Sequence, residues 1–194
     1  GNTVLLADCG DAIQGDTIGT LSKGEYIIDM MNYVGYDVAT IGNHEFDYGM
    51  DQFMALTEKA NFPYVSANFV DKDGKPFFDA YKIIEAGGWK IAFVGVSTPE
   101  TLFKSNPVNF QDAEGNFIYS FCGEGDGKGV YGAAQNAVDA ARAEGADIVI
   151  AITHLGTDAA SIPFTSNDLI MNTTGIDAVL DGHSHSTWEQ EMVK

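Results

Sequence analysis

The chain contains four histidines, and each of them stands just past an apolar, strand-like run. Val38-Ala39-Thr40-Ile41 leads into Gly42-Asn43-His44-Glu45-Phe46-Asp47-Tyr48-Gly49, residues 148–153 lead into His154, and residues 178–182 lead into His183 and His185. A fourth such run, residues 3–8, ends at Cys9-Gly10-Asp11. In open α/β sheets, ligands bind beyond the carboxyl ends of the strands. If the four runs are parallel neighbours, Asp11, Asn43, His44, His154, His183 and His185 meet on one rim of one sheet. Any one of these motifs alone reads equally as a polar turn or a cap for the next helix. Their convergence is what argues for chemistry.

Neutral imidazoles, a carboxylate and an amide oxygen together suit borderline divalent ions such as Zn²⁺, Mn²⁺, Fe²⁺ or Co²⁺. His183 and His185 are two apart, so in an extended segment they share a face and serve one metal or one each of two. A carboxylate such as Asp11 can bridge two ions, which in hydrolytic sites sit roughly 3.5–4 Å apart. Such a pair makes a hydroxide at neutral pH and clamps the oxygens of an in-line phosphoryl transfer. His44 has a different part: Asn43 is the better-placed ligand beside it. Asp47, three residues on, is within reach of the imidazole N–H and fixes its tautomer. An imidazole oriented in that way suits protonation of a leaving oxygen. The chain has no serine-nucleophile motif and no phosphate-cradling P-loop. Its two cysteines, Cys9 and Cys122, make no disulfide framework, and neither stands where a nucleophile is needed.

The elements that must position these residues alternate. A helix from about Gly24 carries Ile27, Met30, Met31 and Val34 on one face and stops at Gly35. A second, over about 50–60, shows Phe53, Leu56 and Ala60 at helical spacing. Residues 63–68 read as a short strand, 71–75 as a turn, and 81–85 with 90–96 as a hairpin joined at Gly87-Gly88. Residues 100–128 are irregular and read as an inserted surface loop. The spacing of Val130, Ala133, Ala134, Ala137, Val138 and Ala141 predicts a helix over 130–143, ended by Gly145 and packed closely on a sheet. A short helix over about 166–174, capped by Ser166, precedes the last strand. Strands alternating with helices predict βαβ units and a parallel sheet, an α/β fold.

At 194 residues the chain is one domain by size and long enough to bury a core. Ten basic against 28 acidic residues give a net charge of −18, which argues against nonspecific nucleic-acid binding and fits small-molecule substrates. No run approaches the length of a membrane-spanning helix, and no signal peptide is visible.

Gly10-Asp11, Gly42-Asn43-His44-Glu45, Thr153-His154 and Gly182-His183-Ser184-His185 come in the order and at the spacings of the calcineurin-like metallophosphoesterases. Asp8-Cys9-Gly10-Asp11-Ala12-Ile13-Gln14-Gly15, residues 42–49 and residues 181–185 resemble the 5′-nucleotidase branch, with its 2′,3′-cyclic-nucleotide phosphodiesterases and UDP-sugar hydrolases. The resemblance implies a four-layer α/β/β/α sandwich and hydrolysis of nucleotide phosphate monoesters by two divalent metal ions. It implies that Asp11 bridges both metals, that Asn43, His154 and His183 complete one shell, and that His185 binds the other ion. His44 with Asp47 becomes the catalytic dyad. It also implies a site of action in the periplasm, outside the cell or at its surface.

Two departures from the family pattern bear on this. The family's opening Asp-x-His motif, two ligands of the first metal, has no counterpart before residues 3–8, and no C-terminal substrate-binding domain follows residue 194. Residues 1–194 are therefore expected to be a catalytic domain incomplete at both ends, holding as few as one metal. The alternatives are a cyclic-nucleotide or UDP-sugar phosphodiesterase, more distantly a sulfur-oxidation hydrolase, or a catalytically silent metal-binding fragment.

Overall fold

The computed structural model describes residues 3–187; residues 1–2 and 188–194 of the expected domain lie outside the described residues. In chain order the elements are β1 (Ala7–Asp8), α1 (Asp16–Ser22), α2 (Glu25–Val34), β2 (Val38–Ala39), α3 (Met50–Lys59) and β3 (Val70–Asp71). There follow β4 (Tyr81–Ala86), β5 (Trp89–Ser97), α4 (Thr101–Lys104), β6 (Tyr119–Ser120), α5 (Lys128–Ala143), β7 (Ile148–His154), α6 (Ser166–Asn172) and β8 (Ala178–Asp181). β1 and β2 pair in parallel as a small sheet, while β4-β5-β7-β8 form a larger one in which only β4 runs antiparallel. The strand runs therefore converge from two sheets, not one. The first pair and the last pair are each parallel neighbours, but the rim they share spans the gap between sheets.

Alternation along β5 explains the layering, because successive side chains of a strand point to opposite faces. Ala92, Val94 and Val96 pack with Val130, Ala134, Ala137, Val138 and Ala141 of α5 and with Leu169 of α6. Ile91 and Phe93 turn the other way, where Phe93 meets Val38, Val65 and Ile152 in a cluster drawn from both sheets. On the far side of the small sheet, Ala39 and Ile41 join Ile28, Met31, Phe53 and Leu56 from α2 and α3. The order is helices, sheet, sheet, helices: the four-layer α/β/β/α sandwich.

Residues 63–68 are extended but form no strand of their own. They stitch the two sheets: Val65 N–H donates to Ala39 O at 2.9 Å, and Ala67 N–H to Gly95 O at 2.8 Å. The β4–β5 hairpin turns at Gly87 and Gly88 with φ of 60° and 88°, a turn that right-twisted strands favour and side chains resist.

Other expectations shift in detail. α1 (Asp16–Ser22) adds a helix ahead of the one expected from about Gly24. α2 buries Ile28 and Met31, while Met30 and Val34 are exposed. Apolar pairs at 27–28 and 30–31 allow either face, and packing with Phe53 and Leu56 of α3 accompanies the choice of Ile28 and Met31. α6 is capped by Thr165 rather than Ser166, through a capping box with Asp168. The 100–128 segment is ordered by α4, a 3-10 turn (Pro107–Phe110) and β6, and it places Phe110 and Phe121 in the core.

Phe46 anchors the motif after β2 to this core. It ends a 3-10 turn, His44–Phe46, and its ring centroid lies 4.8 Å from that of Phe110 and 5.2 Å from that of Phe53. Phe69 and Phe121 close the rest of its surroundings. Phe46→Ala is expected to lower stability by about 3–5 kcal/mol, the usual loss for a buried phenylalanine. Urea unfolding followed by circular dichroism measures it.

Candidate metal centre

Each ligand-bearing loop begins where a strand ends. Asp11 follows β1, Asn43 and His44 follow β2, His154 is the last residue of β7, and His183 and His185 follow β8. The backbone is forced at three of these positions: Asp11, His183 and His185 have φ of 66°, 77° and 52°. Left-handed conformations at non-glycine residues persist only where the surroundings over-determine them, and they cluster at functional sites. Close approach adds a second constraint. A Cβ at Gly10 would lie 2.5 Å from Gly42 N, and one at Gly42 would overlap Asp11 Oδ1.

Asp11, His154 and His183 each offer a ligand atom within 4.8 Å of the others. The orientation of His154 is settled by a carbonyl: its Nδ1 lies 2.6 Å from Cys9 O, which can only accept, so Nδ1 carries the proton. Nε2 then presents a lone pair to the centre. It is 3.0 Å from Asp11 Oδ2, yet out of hydrogen-bond alignment, and it stays buried without a partner. Asn43 Oδ1 is likewise buried and unpartnered. Buried polar atoms are normally satisfied, so two orphans on adjoining loops, both good donors to a borderline metal, are what a cation site leaves behind. The residues fit a divalent ion.

Burial works against ionisation of Asp11 and His154. Their contact outweighs it, holding the Asp11 carboxyl below its ordinary value and raising the imidazole. Burial, followed by the charge on His154, lowers His183. Burial also pushes the Cys9 thiol up to about 12, so it has no nucleophilic role.

His44 stands at the edge of this cluster. Its N–H donates to Asp11 Oδ1 at 2.7 Å, and its Nδ1 lies 2.6 Å from Asp47 Oδ2, leaving the ring partly open to solvent. His185 is exposed, and its ring is outside the Asp11–His154–His183 group.

Four further residues matter here that sequence reasoning did not single out. Glu45 is fully buried; its Oε2 accepts from the N–H groups of Asp11 (2.8 Å) and Gly42 (2.7 Å), and its Oε1 from Ala12 (3.0 Å). Burial, with the charges of Asp11 and Asp8, pushes its carboxyl up to about 7. Asp181 does the same for the other pair of loops. Its Oδ1 accepts from Thr153 Oγ1 at 2.7 Å and from the N–H groups of Leu155 and Gly182 at 3.0 and 2.9 Å. Glu100 and Lys104 reach His183 from α4. Burial tends to raise the Glu100 carboxyl, but hydrogen bonds from Ser161, His183 and Lys104 hold it low.

The arrangement of Asp11, His154, His183 and Asn43 beside a His–Asp pair sets the comparison with known proteins. The family described as bacterial capsule synthesis protein PGA_cap matches residues 3–194. The calcineurin-like phosphoesterase YfkN from Bacillus subtilis superposes with a TM-score of 0.79 at 29% identity, over 96% of this chain and 60% of that one. The chain belongs to the PGA_cap family and to the calcineurin-like phosphoesterases. Among curated relatives, the trifunctional nucleotide phosphoesterase protein YfkN of Bacillus subtilis is 32% identical over 93% of this chain and 13% of its own length. The 5′-nucleotidase of Bos taurus is 31% identical over 94% of this chain and 29% of its own. The chain thus spans less than a third of the length of these curated relatives. Calcineurin-like phosphoesterases are metal-dependent, in keeping with the donor set at the rim. Among the described residues, no helix is long and apolar enough to cross a membrane.

Glu45→Gln sets an amide NH₂ against at least one of the three N–H groups that the carboxylate now accepts. One buried donor left unsatisfied costs about 1–3 kcal/mol, so the metal-free protein is expected to lose that much stability in urea. Metal affinity is expected to fall with it, because Asp11 is held through the same carboxylate; titration with Mn²⁺ reads this second effect.

Proposed function

We propose that this calcineurin-like phosphoesterase hydrolyses phosphate monoesters of nucleotides at a divalent metal centre. The observation that carries the reading is the pair of orphaned ligand atoms, Asn43 Oδ1 and His154 Nε2, beside Asp11, His183 and the oriented His44–Asp47 pair. In this reading Asp11, Asn43, His154 and His183 would hold a divalent ion, with Asp11 shared and His185 recruited if a second ion bound. Ions bound there would act as Lewis acids on phosphoryl oxygens and make water acidic enough to attack phosphorus near neutral pH.

The chain's own residues do the rest. Asp47 accepts from His44 Nδ1–H, so Nε2 is the nitrogen available at the reacting phosphoryl group. Protonated at Nε2 from the solvent to which the ring is partly open, the imidazolium can pass that proton to the leaving ribose oxygen as the ester bond breaks and return to the neutral Nδ1–H tautomer. Asp47 stabilises the imidazolium state through which that proton travels. Support for nucleotides as substrates comes from the names of the relatives, a nucleotide phosphoesterase and a 5′-nucleotidase. The capsule synthesis in the family's description names a process, not a reaction. A strongly acidic chain, with net charge −18, also favours a small ester over polymeric nucleic acid.

His44→Ala is expected to lower AMP hydrolysis by about 10²- to 10⁴-fold, the usual range for a general acid, and to leave metal content unchanged. His183→Ala is expected to lose metal as well as turnover. Elemental analysis alongside phosphate release with added Mn²⁺ separates the two. Full turnover in His44→Ala would sink the dyad assignment; a wild-type protein that binds metal but hydrolyses neither AMP nor a diester would favour the silent metal-binding reading.

A further inference from the structure

His183 Nε2 lies 3.1 Å from Glu100 Oε2 and 3.0 Å from Lys104 Nζ, two groups that neither the motif pattern nor the relatives' names point to. An ammonium only donates and a carboxylate only accepts, so one ring nitrogen can serve one of them and not both. Three observations favour the carboxylate. Glu100 is the better fixed: its side chain is about a quarter exposed, and Ser161 Oγ–H donates to the same Oε2 at 2.9 Å. Lys104 is nearly half exposed and already has a partner, since its Nζ is 3.2 Å from Glu100 Oε2. The third observation is the centre itself. His183 belongs to the group with Asp11 and His154, and the nitrogen it presents to a metal must carry a lone pair. If Nε2 is the protonated nitrogen, that lone pair is on Nδ1.

We propose that Glu100 is the positioning residue of His183: its carboxylate accepts from Nε2–H, fixes the tautomer and the ring plane, and so leaves Nδ1 as the coordinating nitrogen. This inference rests on the metal-centre reading above and deepens it. Ligating histidines usually donate their second N–H to a carboxylate or a carbonyl, which orients the ring and strengthens it as a ligand. His154 meets the requirement with the Cys9 carbonyl, and Glu100 is the equivalent for His183. The consequence for the fold is specific. The 100–128 segment, which carries no ligand, reaches the centre through Glu100 at the start of α4, and Ser161 ties the same carboxylate to the stretch between β7 and α6.

The test uses Zn²⁺ as a diamagnetic probe on ¹⁵N-labelled protein, with chelator competition for affinity and long-range ¹⁵N–¹H spectra for the histidine rings. In the wild type, His183 is expected as a single Nε2–H tautomer with zinc on Nδ1. Glu100→Gln is expected to weaken zinc binding about 10- to 100-fold and to broaden or divide the His183 ring signals, while the melting temperature of the metal-free protein changes little. Lys104→Met is expected to leave affinity within about threefold, since a half-exposed ion pair contributes little. Zinc on Nε2 of His183, unchanged affinity in Glu100→Gln, or a loss confined to Lys104→Met overturns the assignment of Glu100 and leaves the metal centre standing. A wild-type protein that binds no zinc overturns both.

Discussion

Glu45, a fully buried carboxylate after β2, collects the N–H groups of Asp11, Ala12 and Gly42 and thereby decides how close two strand ends can come. Without it, three N–H groups, that of Gly42 buried and those of Asp11 and Ala12 half-buried, would lack acceptors, and the left-handed turn at Asp11 would lose contacts that hold it there. Asp181 repeats the device across β7 and β8, gathering Thr153, Leu155 and Gly182 around one oxygen. The rim is therefore two clamped pairs of loops, one per sheet, and the candidate centre lies where the pairs meet. Glu45 holds a position that burial and the charges of Asp11 and Asp8 make costly for a charge, a cost offset in part by the hydrogen bonds it accepts and by nearby His154.

Much of this was legible in the chain, for reasons particular residues make plain. The histidines could be read because each follows an apolar run and no others are scattered elsewhere. The hairpin at Gly87-Gly88 and the helix ended by Gly145 follow from local backbone chemistry. What escaped was set by tertiary contact. Whether the four runs made one sheet or two depends on which face of β5 meets α5 and which meets Val38 and Val65, and a run of apolar residues does not carry that information. α2 shows the same limit, since apolar pairs at 27–28 and 30–31 fit either face of a helix. Glu45 and Asp181 lie within the motifs themselves, yet a carboxylate's role as acceptor shows only when the donors it faces are known.

The glycine, asparagine and aspartate content of residues 100–128 predicts a surface loop. Two phenylalanines hold it down instead, packed beside Phe46, and Asn68 donates from its buried amide to Phe121 O and Ser97 O. Composition describes the solvent-facing turns of such a segment well, and it misses a few apolar anchors spaced far apart. The anchoring is also what lets α4 lean toward His183, a placement no local periodicity announces.

If Asp11 and Asn43 after β1 and β2, with His154 and His183 from β7 and β8, hold a metal ion as proposed, neither sheet alone can chelate it tightly. A half-folded chain would offer an oxygen pair or a nitrogen pair, each a weak bidentate grip. Tight retention of an ion would then wait until residues 63–68 have seated one sheet on the other, bonding Ala39 on one side and Gly95 on the other. On that reading an ion bound there would favour molecules whose two halves have docked in register, and would resist their separation.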